Sequence, residues 1–258
     1  MSDRPTHVLV FAAGKGERMR PLTETTPKPL LIAGGKPLIA WHLEKLAALG
    51  VREVVINTSW LGDRFAPALG DGSAWGLRLH YMYEGAEPLE TGGGMLNALP
   101  LLGDAPFLAI AADVWTDLDF ATLPREPAGL AHLVMVANPE HHGRGDFVLA
   151  DDGHLALAAN PQPDAVHTAA ALTFSGIGLY RREFLDGWRA IVGNAPGADE
   201  TPPRFKLRPL FDAAIARCAI SGQRHDGRWT DVGTPERLAT LDRELGAPDG
   251  AQPDVSSR

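Results

Sequence analysis

An apolar run that passes directly into a glycine-rich, cationic loop is the feature that most constrains this chain. Residues 7–12 (HVLVFA) predict a buried strand, and residues 13–20 (AGKGERMR) follow it at once. Glycines let backbone N–H groups approach phosphate oxygens closely, while Arg18 offers a planar fork and Lys15 and Lys28 offer point charges. The strand therefore predicts a sheet whose edge carries a polyphosphate-binding loop.

Two familiar phosphate-binding loops are excluded by the residues that would define them. A Walker loop needs Ser or Thr after its Gly-Lys pair, but Lys15 and Lys36 are followed by Gly and Pro. A dinucleotide-binding fingerprint needs a third glycine at the start of the helix, where this chain has Met19. The loop is instead defined by a longer string, which closes with residues 26–30 (TPKPL).

Strand and helix signals alternate along the first half of the chain, and hairpin signals follow. Hydrophobic periodicity predicts strands at 7–12, 53–57, 77–83, 106–112, 133–137 and 174–180, and helices at 37–49, 91–101, 207–217 and 235–245. Hairpins are predicted around the turn at 151–153 and around Asp226-Gly227. This order predicts a single three-layer, Rossmann-like α/β domain over residues 1–245, with a mostly parallel mixed sheet and hairpin insertions. Residues 246–258 are rich in Pro, Gly and Ser and predict a disordered tail.

The composition excludes several classes of partner. A formal net charge of −8 disfavours a nucleic-acid surface, which is normally basic. The chain has no run of about 18 apolar residues, and its N-terminus lacks the apolar core of a signal peptide, so we expect no membrane span. The single cysteine, Cys218, cannot form an internal disulfide, which fits a reducing cytoplasm. These observations favour a cytoplasmic protein that acts on small molecules.

The string G-x-G-x-R-M-x-P-L-T, followed by P-K-P-L, occupies residues 14–30 and resembles the signature of a known family. That family is the nucleoside-triphosphate:sugar-1-phosphate nucleotidyltransferases, or nucleotide-sugar pyrophosphorylases, and the resemblance extends from His7 to about Leu245. It implies the nucleotide-diphospho-sugar transferase fold and an attack by a sugar 1-phosphate on the α-phosphorus of a nucleoside triphosphate, with release of pyrophosphate. Because a phosphomonoester is already largely ionised at neutral pH, this chemistry needs no general base.

Two carboxylates stand where strands are predicted to end. Asp113 follows the apolar run at 106–112, and Asp231 ends the predicted strand at 228–232. Carboxylate, phosphate and water oxygens are the ligands that Mg²⁺ prefers. A helix-capping role is the alternative for each aspartate. The resemblance implies instead that both are metal ligands and that they act with Arg18 and Lys28 as the catalytic residues.

The resemblance also implies which residues contact the substrates. The nucleotide-binding set lies in two glycine-rich loops and comprises Ala12, Ala13, Gly14, Lys15, Gly16, Arg18, Lys28, Glu90 and Gly92. The resemblance places Gly145 and the position of Asn160 in the sugar-phosphate set, to which we add Asn57, because it ends a strand, and Lys206. Many relatives have a lysine at the position of Asn160, and Lys206 is our candidate for the missing charge. Many also have a polar or glycine pair where this chain has Ala111-Ala112, which removes a possible contact with the nucleotide.

Further strings narrow the resemblance to one branch of the family. They are residues 138–142 (NPEHH), 173–177 (TFSGI), 205–210 (FKLRPL) and 228–238 (RWTDVGTPERL). They resemble the branch that transfers UMP from UTP to N-acetylmuramic acid 1-phosphate in peptidoglycan recycling. Two alternatives stay open: another hexose-1-phosphate uridylyl-, thymidylyl- or guanylyltransferase, and a non-catalytic nucleotide-sugar sensor. The neighbours His141 and His142 are predicted to lie on the surface, since adjacent strand residues point to opposite faces and cannot share a metal.

Overall fold

The computed structural model describes residues 6–157 and 170–246, and strands and helices alternate along them much as the sequence predicts. The strands are β1 (His7–Phe11), β2 (Ile32–Ala33), β3 (Lys36–Pro37), β4 (Glu53–Thr58), β5 (Arg78–Tyr83), β6 (Phe107–Ala111), β7 (Val114–Thr116), β8 (Ala131–Val136), β9 (Phe147–Leu149), β10 (Leu155–Leu157), β11 (Thr173–Tyr180), β12 (Ile220–His225) and β13 (Trp229–Asp231). The α-helices are α1 (Leu38–Leu49), α2 (Phe65–Leu69), α3 (Glu90–Leu102), α4 (Trp188–Val192), α5 (Arg208–Ile215) and α6 (Pro235–Gly246).

Seven strands form one central sheet in the order β12-β8-β11-β6-β1-β4-β5. The pairs β6–β1, β1–β4 and β4–β5 are parallel, and β12 is parallel to β8. Strand β11 is antiparallel to both β6 and β8. Six of the seven strands therefore run in one direction, which confirms the predicted mostly parallel mixed sheet and places the ends of β1, β4 and β6 along one edge.

Helices cover both faces of this sheet because the side chains of each strand alternate between them. On β1, Val8 and Val10 pack in the same buried cluster as Leu43 of α1, whereas Leu9 packs in a second cluster with Met95 of α3. Each of these side chains is fully buried. A parallel strand covered on both faces needs apolar residues at every position, which explains the unbroken apolar runs in the sequence. The three-layer prediction is confirmed.

One of the two predicted hairpins is present and the other is wrong. Strands β9 and β10 pair antiparallel, with Leu149 opposite Leu155. By contrast, β12 joins the central sheet beside β8, and β13 pairs antiparallel with β7. The tight turn favoured by Asp-Gly requires positive φ at both central residues, and Gly227 is absent from the glycines with positive φ among the described residues. The chain therefore leaves the sheet at Asp226 and does not fold back along β12.

The C-terminal end of the chain tests only part of the prediction. Helix α6 ends at Gly246, so the first residue of the predicted tail, 246–258, is helical, and the remaining residues, 247–258, lie outside the described residues. The predicted domain boundary at residue 245 stays a prediction. Every helix in the described ranges, 6–157 and 170–246, is too short or too polar to span a bilayer.

His42 on α1 gives the fold a testable dependence on pH. Its side chain is 1% exposed, and its Nε2 donates to the carbonyl of Val114 over 2.7 Å. Burial lowers the pKa of His42 to about 4, which the hydrogen bond to Val114 opposes. The folded chain therefore holds His42 neutral at pH values where the unfolded chain, with an ordinary pKa near 6.5, already binds a proton.

We expect the free energy of unfolding to increase between about pH 4 and pH 6.5, with His42 contributing roughly 3 kcal/mol of that rise. Denaturant titrations at several pH values across this range should give the slope of the free energy of unfolding against pH for the wild type. His42→Gln keeps a donor near the position of Nε2 and does not titrate, so its slope should be smaller. Equal slopes for the two proteins would contradict this account.

Candidate active site

The predicted phosphate loop lies where three parallel strands end side by side. The register of the sheet places Phe11, the last residue of β1, opposite Asn57 on β4 and opposite Ala111 on β6. A cavity of about 650 Å³ opens at this edge. Its lining includes Ala12, Ala13, Gly14, Lys15, Gly16, Arg18, Lys28, Asn57, Glu84, Glu90, Thr91, Ala111 and Asp113. The structure thus brings together all but one of the residues predicted to bind the nucleotide.

The loop has a fixed shape that turns Arg18 outward. Gly16 has a φ of +62°, and a Cβ there would lie 2.9 Å from the side chain of Thr23, whose hydroxyl donates to the Gly16 carbonyl. The short 3₁₀ turn that follows buries Met19 in a small cluster with Val232 and Leu238. Because Met19 anchors one side of the turn, the neighbouring Arg18 is exposed and lines the cavity.

The cations of the loop differ in how they are paired. Lys28 is 9% exposed, and its Nζ lies 2.5 Å from Oδ2 of Asp113. The Nζ of Lys15 lies 2.7 Å from the carboxylate of Glu87, which is mostly exposed. Arg18 forms no ion pair within the part of the chain that the structure describes. Its guanidinium is therefore available to an anion without loss of a protein contact.

Asp113 and Asp231 are neighbours across the short ribbon formed by β7 and β13. Asp231 pairs with Val114, and the N–H of Val232 donates to the carbonyl of Asp113 over 2.8 Å. Both aspartates line a second cavity, of about 410 Å³, together with Arg18 and His141. The two carboxylates predicted to bind a metal therefore face the same cleft as the cationic loop.

Two residues beside Asp231 were missed as site residues. The Nη1 of Arg237 lies 2.5 Å from Oδ1 of Asp231, and the Nε2 of His141 lies 3.0 Å from the same oxygen. Arg237 can follow this path only because residue 233 is glycine, since a Cβ there would lie 2.2 Å from its Nη2. Many helices are preceded by a glycine and carry an arginine in their first turn, so this sequence pattern could not have revealed the contact.

The prediction that His141 and His142 lie on a strand is wrong, whereas their predicted position at the surface is confirmed, since each side chain is 42% exposed. They lie in a 3₁₀ turn, Glu140–His142, which brings both side chains towards the cleft. His141 reaches Asp231, whereas the Nε2 of His142 lies 3.3 Å from Oδ1 of Asp146. Because His141 and His142 do not lie on a strand, the alternation of strand side chains does not apply to them, and they can point towards the same cleft.

Asn57 connects the phosphate loop to the loop before α3. Its Oδ1 accepts from the N–H of Ala12 over 2.7 Å, and its Nδ2 donates to Oε1 of Glu84 over 2.8 Å. The second oxygen of Glu84 accepts from the N–H of Leu89 over 3.0 Å. Burial raises the pKa of Glu84, which these two hydrogen bonds oppose. The network fixes the two walls of the cavity relative to each other, and contact of Asn57 with the sugar stays a prediction.

The three glycines at 92–94 have a packing role. Gly92 is buried, its N–H donates to the carbonyl of Phe205 over 2.8 Å, and a Cβ there would lie 2.4 Å from the Phe205 ring. A Cβ on Gly94 would lie 2.6 Å from Oε1 of Glu84. Gly92 is not among the residues that line the cavity, and its predicted contact with the nucleotide stays a prediction. Glu90 and Thr91 line the cavity at this point.

A third cavity, of about 290 Å³, adjoins the other two on the side away from the phosphate loop. It is lined by Phe11, Thr91, Ala109, Ala111, Asp146, Phe147, Phe174, Gly176, Tyr180, Lys206, Leu207, Arg208 and Phe211. Of the four residues predicted to bind the sugar phosphate, Lys206 lines this cavity and Asn57 lines the cavity at the phosphate loop. Gly145 has a φ of +65° and immediately precedes Asp146, and a Cβ added at Gly145 would lie 2.8 Å from the backbone of Ala171. Asn160 lies outside the described residues.

A cationic loop and two strand-end carboxylates facing each other across one cleft define a nucleotide-binding α/β protein. The model of the family described as "Nucleotidyl transferase" matches residues 7–147. The chain belongs to the nucleotidyl transferase family, which confirms the resemblance recognised in its motifs.

Characterised relatives of this chain are sugar-1-phosphate nucleotidyltransferases. The chain is 46% identical to the N-acetylmuramate alpha-1-phosphate uridylyltransferase of Neisseria meningitidis serogroup B, over 93% of this chain and 98% of the relative. It is 32% identical to the enzyme of the same name from Caulobacter vibrioides, over 95% and 99%. It is 31% identical to a mannose-1-phosphate guanylyltransferase of Mycobacterium tuberculosis, over 92% of this chain and 63% of the relative. The chain is accordingly an enzyme of the same class.

Solved structures support the fold. A putative glucose-1-phosphate thymidylyltransferase from Bacillus anthracis superimposes with a TM-score of 0.74 at 18% identity, over 95% of this chain and 97% of that chain. The HddC protein of Yersinia pseudotuberculosis superimposes with a TM-score of 0.66 at 18% identity, over 93% and 99%. The nucleotide-diphospho-sugar transferase fold expected from the motifs is therefore confirmed.

Proposed function

We propose that this chain transfers UMP from UTP to N-acetylmuramic acid 1-phosphate, giving UDP-N-acetylmuramic acid and pyrophosphate in peptidoglycan recycling. The observation that carries the proposal is the shared cleft in which Arg18, Lys28, Asp113 and Asp231 meet, in a chain 46% identical to the Neisseria uridylyltransferase. UTP is a cytoplasmic metabolite, so the cytoplasm is the compartment we propose for the reaction.

The chemistry requires two anions to be brought together while negative charge moves to the leaving pyrophosphate. The sugar phosphate supplies an ionised oxygen as the nucleophile. The protein therefore needs to orient the two substrates and neutralise their negative charge, but it does not need to remove a proton. We assign Arg18 and Lys15 to the β- and γ-phosphates and Lys28 to the α-phosphate. Lys28 is suited to this role because it is nearly buried and already lies against Asp113 at the centre of the cleft.

Mg²⁺ is the cofactor we propose, and Asp113 and Asp231 are the residues that would hold it. Both offer the hard carboxylate oxygens that Mg²⁺ prefers, and each is held in the cleft by an ion pair, Asp113 with Lys28 and Asp231 with Arg237. Within the described ranges no cluster of three His, Cys, Asp or Glu side chains is arranged to hold a metal. Two carboxylates leave coordination positions for phosphate oxygens and water, as Mg²⁺ in nucleotide sites prefers. When bound, Mg²⁺ would neutralise charge on the phosphates.

A matrix of substrates tests the proposal. UTP, dTTP and GTP are each combined with N-acetylmuramic acid 1-phosphate, N-acetylglucosamine 1-phosphate, glucose 1-phosphate and mannose 1-phosphate, and pyrophosphate release is followed. We expect UTP with the muramyl compound to give the highest kcat/KM. Activity with glucose 1-phosphate but not with the muramyl compound would establish a different transferase. Binding of UTP without pyrophosphate release from any pair would establish a sensor.

A further inference from the structure

We propose that Lys206 and Arg208, which line the third cavity, form a subsite for a carboxylate carried by the sugar. The inference rests on the proposed function, because N-acetylmuramic acid 1-phosphate differs from N-acetylglucosamine 1-phosphate by one lactyl ether that bears a carboxylate. A site that selects the muramyl sugar needs a positive group within reach of that carboxylate and away from the phosphates.

The third cavity has the position required for such a sugar. Ala111 lines all three cavities. The third cavity therefore meets the nucleotide cavity at the phosphate loop, and the Asp113–Asp231 cavity, at this one small side chain. A Cβ added at Gly176 would lie 2.9 Å from the Cβ of Ala111, which shows how closely the chain approaches this junction. A ligand whose phosphate lies beside Asp113 can therefore extend past Ala111 into the third cavity.

The third cavity combines apolar walls with two cations. Phe174 and Phe211 contact each other in an edge-to-face arrangement with ring centres 5.6 Å apart, and Phe147 and Phe211 pack in the same way at 5.8 Å. These rings suit the methyl groups of an acetamido and a lactyl substituent. Lys206 and Arg208 provide the positive charge on the lining.

Lys206 has a fixed backbone and an unpaired charge. On one side of it, the carbonyl of Phe205 accepts from the N–H groups of Gly92 and Gly93, and on the other the N–H of Leu207 donates to Oγ1 of Thr91 over 3.0 Å. Its ammonium forms no ion pair within residues 6–157 and 170–246. The lining of the Asp113–Asp231 cavity does not include Lys206, so its position fits a carboxylate on the sugar better than the sugar phosphate.

Arg208 is held in one orientation by its neighbours. Its Nε donates to Oδ1 of Asp212 over 2.7 Å, and its guanidinium lies 4.9 Å from the centre of the Phe147 ring. Asp146 is the acidic group that faces the same cavity, with its Oδ1 4.0 Å from Nη1 of Arg208. Asp146 is itself engaged, since its Oδ2 accepts from the N–H of Phe174 and its Oδ1 lies near His142. Lys206 is therefore the principal cation of the subsite, and Arg208 supports it.

The experiment compares Lys206→Met and Lys206→Arg with the wild type on three substrates. These are N-acetylmuramic acid 1-phosphate, the same compound with its lactyl carboxylate converted to an amide, and N-acetylglucosamine 1-phosphate. We expect Lys206→Met to lower kcat/KM for the first substrate by about 10- to 100-fold, to leave the other two within about threefold, and Lys206→Arg to restore most of the loss. Lys36→Met, which removes a lysine outside the cleft that pairs with Glu44, is the matched control and should leave all three unchanged.

Three outcomes would overturn the inference. They are equal losses on all three substrates, no loss on any, or a wild type that does not distinguish the acid from its amide. Calorimetric binding of the same sugar phosphates to the UTP-bound protein measures the preference without turnover. Wild-type protein that binds the muramyl acid preferentially but releases no pyrophosphate would refute the proposed function and leave the subsite standing. Thermal melting of each variant shows that it is folded.

Discussion

Replacement of Asp113 by asparagine should reduce pyrophosphate release by at least about a thousandfold at saturating UTP and Mg²⁺. The substitution keeps the size of the side chain and removes one of the two carboxylates that we assign to the metal, at the point where charge develops on the phosphates. It also leaves Lys28, which is 9% exposed, without the carboxylate that lies 2.5 Å from its Nζ. We therefore expect the free energy of unfolding to fall by about 1–3 kcal/mol, with the fold retained.

Asp231→Asn should cause a loss of turnover similar to that of Asp113→Asn, because the two carboxylates meet in one cavity. Asp63→Asn is the matched control, since Asp63 is exposed and lies outside the cleft cavities. Binding of Mn²⁺ in the presence of UTP, followed by electron paramagnetic resonance, gives a readout that does not depend on turnover. Unchanged Mn²⁺ binding in both variants would contradict the metal assignment, and turnover within tenfold of the wild type would contradict the catalytic one.

The parts of the fold that the sequence predicts correctly are those set by burial alone. Strand β6 is covered on both faces by helices, so Phe107, Leu108, Ala109 and Ile110 are all apolar and the strand is recognised without knowledge of its partners. Helix α1 ends at Gly50, whose φ of +88° is the reason that a glycine stops the helix there. Constraints of this kind act on single residues and restrict which residue type can occupy the position, so they can be recognised from the sequence.

The parts that could not be predicted depend on contacts between distant segments. His141 lies near Arg237 because two loops meet at Asp231, and the two residues are 96 positions apart in the chain. The Asp-Gly pair at 226–227 has the composition of a hairpin turn, yet the chain there leaves the sheet. The glycine-rich loop that contains Gly92 predicts contact with a ligand, and the structure adds a packing role, since Gly92 lies against Phe205 and Gly94 against Glu84. Composition alone cannot distinguish a glycine that contacts a ligand from one that contacts another segment of the protein.

The structure brings most of the residues named from the motifs into one cleft because the residues concerned lie at strand ends. The register of a parallel sheet places Phe11, Asn57 and Ala111 side by side, so loops that follow these strands must meet. Asp113 lies two residues after the end of β6, so it is placed at the same edge of the sheet. Asp231 reaches the same cleft by a different route, through the β7–β13 ribbon. The prediction that the two aspartates lie together therefore depends on the resemblance, since the hairpin signal predicts a different partner strand for β13.

Arg18→Met should lower kcat with UTP by about 100- to 1,000-fold while leaving the stability of the protein unchanged. Arg18 lines both the nucleotide cavity and the Asp113–Asp231 cavity, so its guanidinium is positioned to contact the phosphates that leave as pyrophosphate. Loss of one positioned donor to a developing negative charge has an effect of this size. No stability change is expected because Arg18 is exposed and forms no ion pair with any residue that the structure describes. Arg18→Lys should recover only part of the rate, since a point charge replaces a planar fork.

Arg20→Met separates this role from the general positive charge of the loop. Arg20 is exposed and lies two residues further along the same turn, but it does not line the cleft. Both substitutions remove one unit of charge from the same loop, so any long-range electrostatic effect on UTP binding should be similar in the two variants, and it should weaken with salt. A large loss of kcat in Arg18→Met with little change in Arg20→Met would assign the effect to contact with the phosphates. Equal losses in the two variants would instead show that Arg18 contributes only to the general field of the loop.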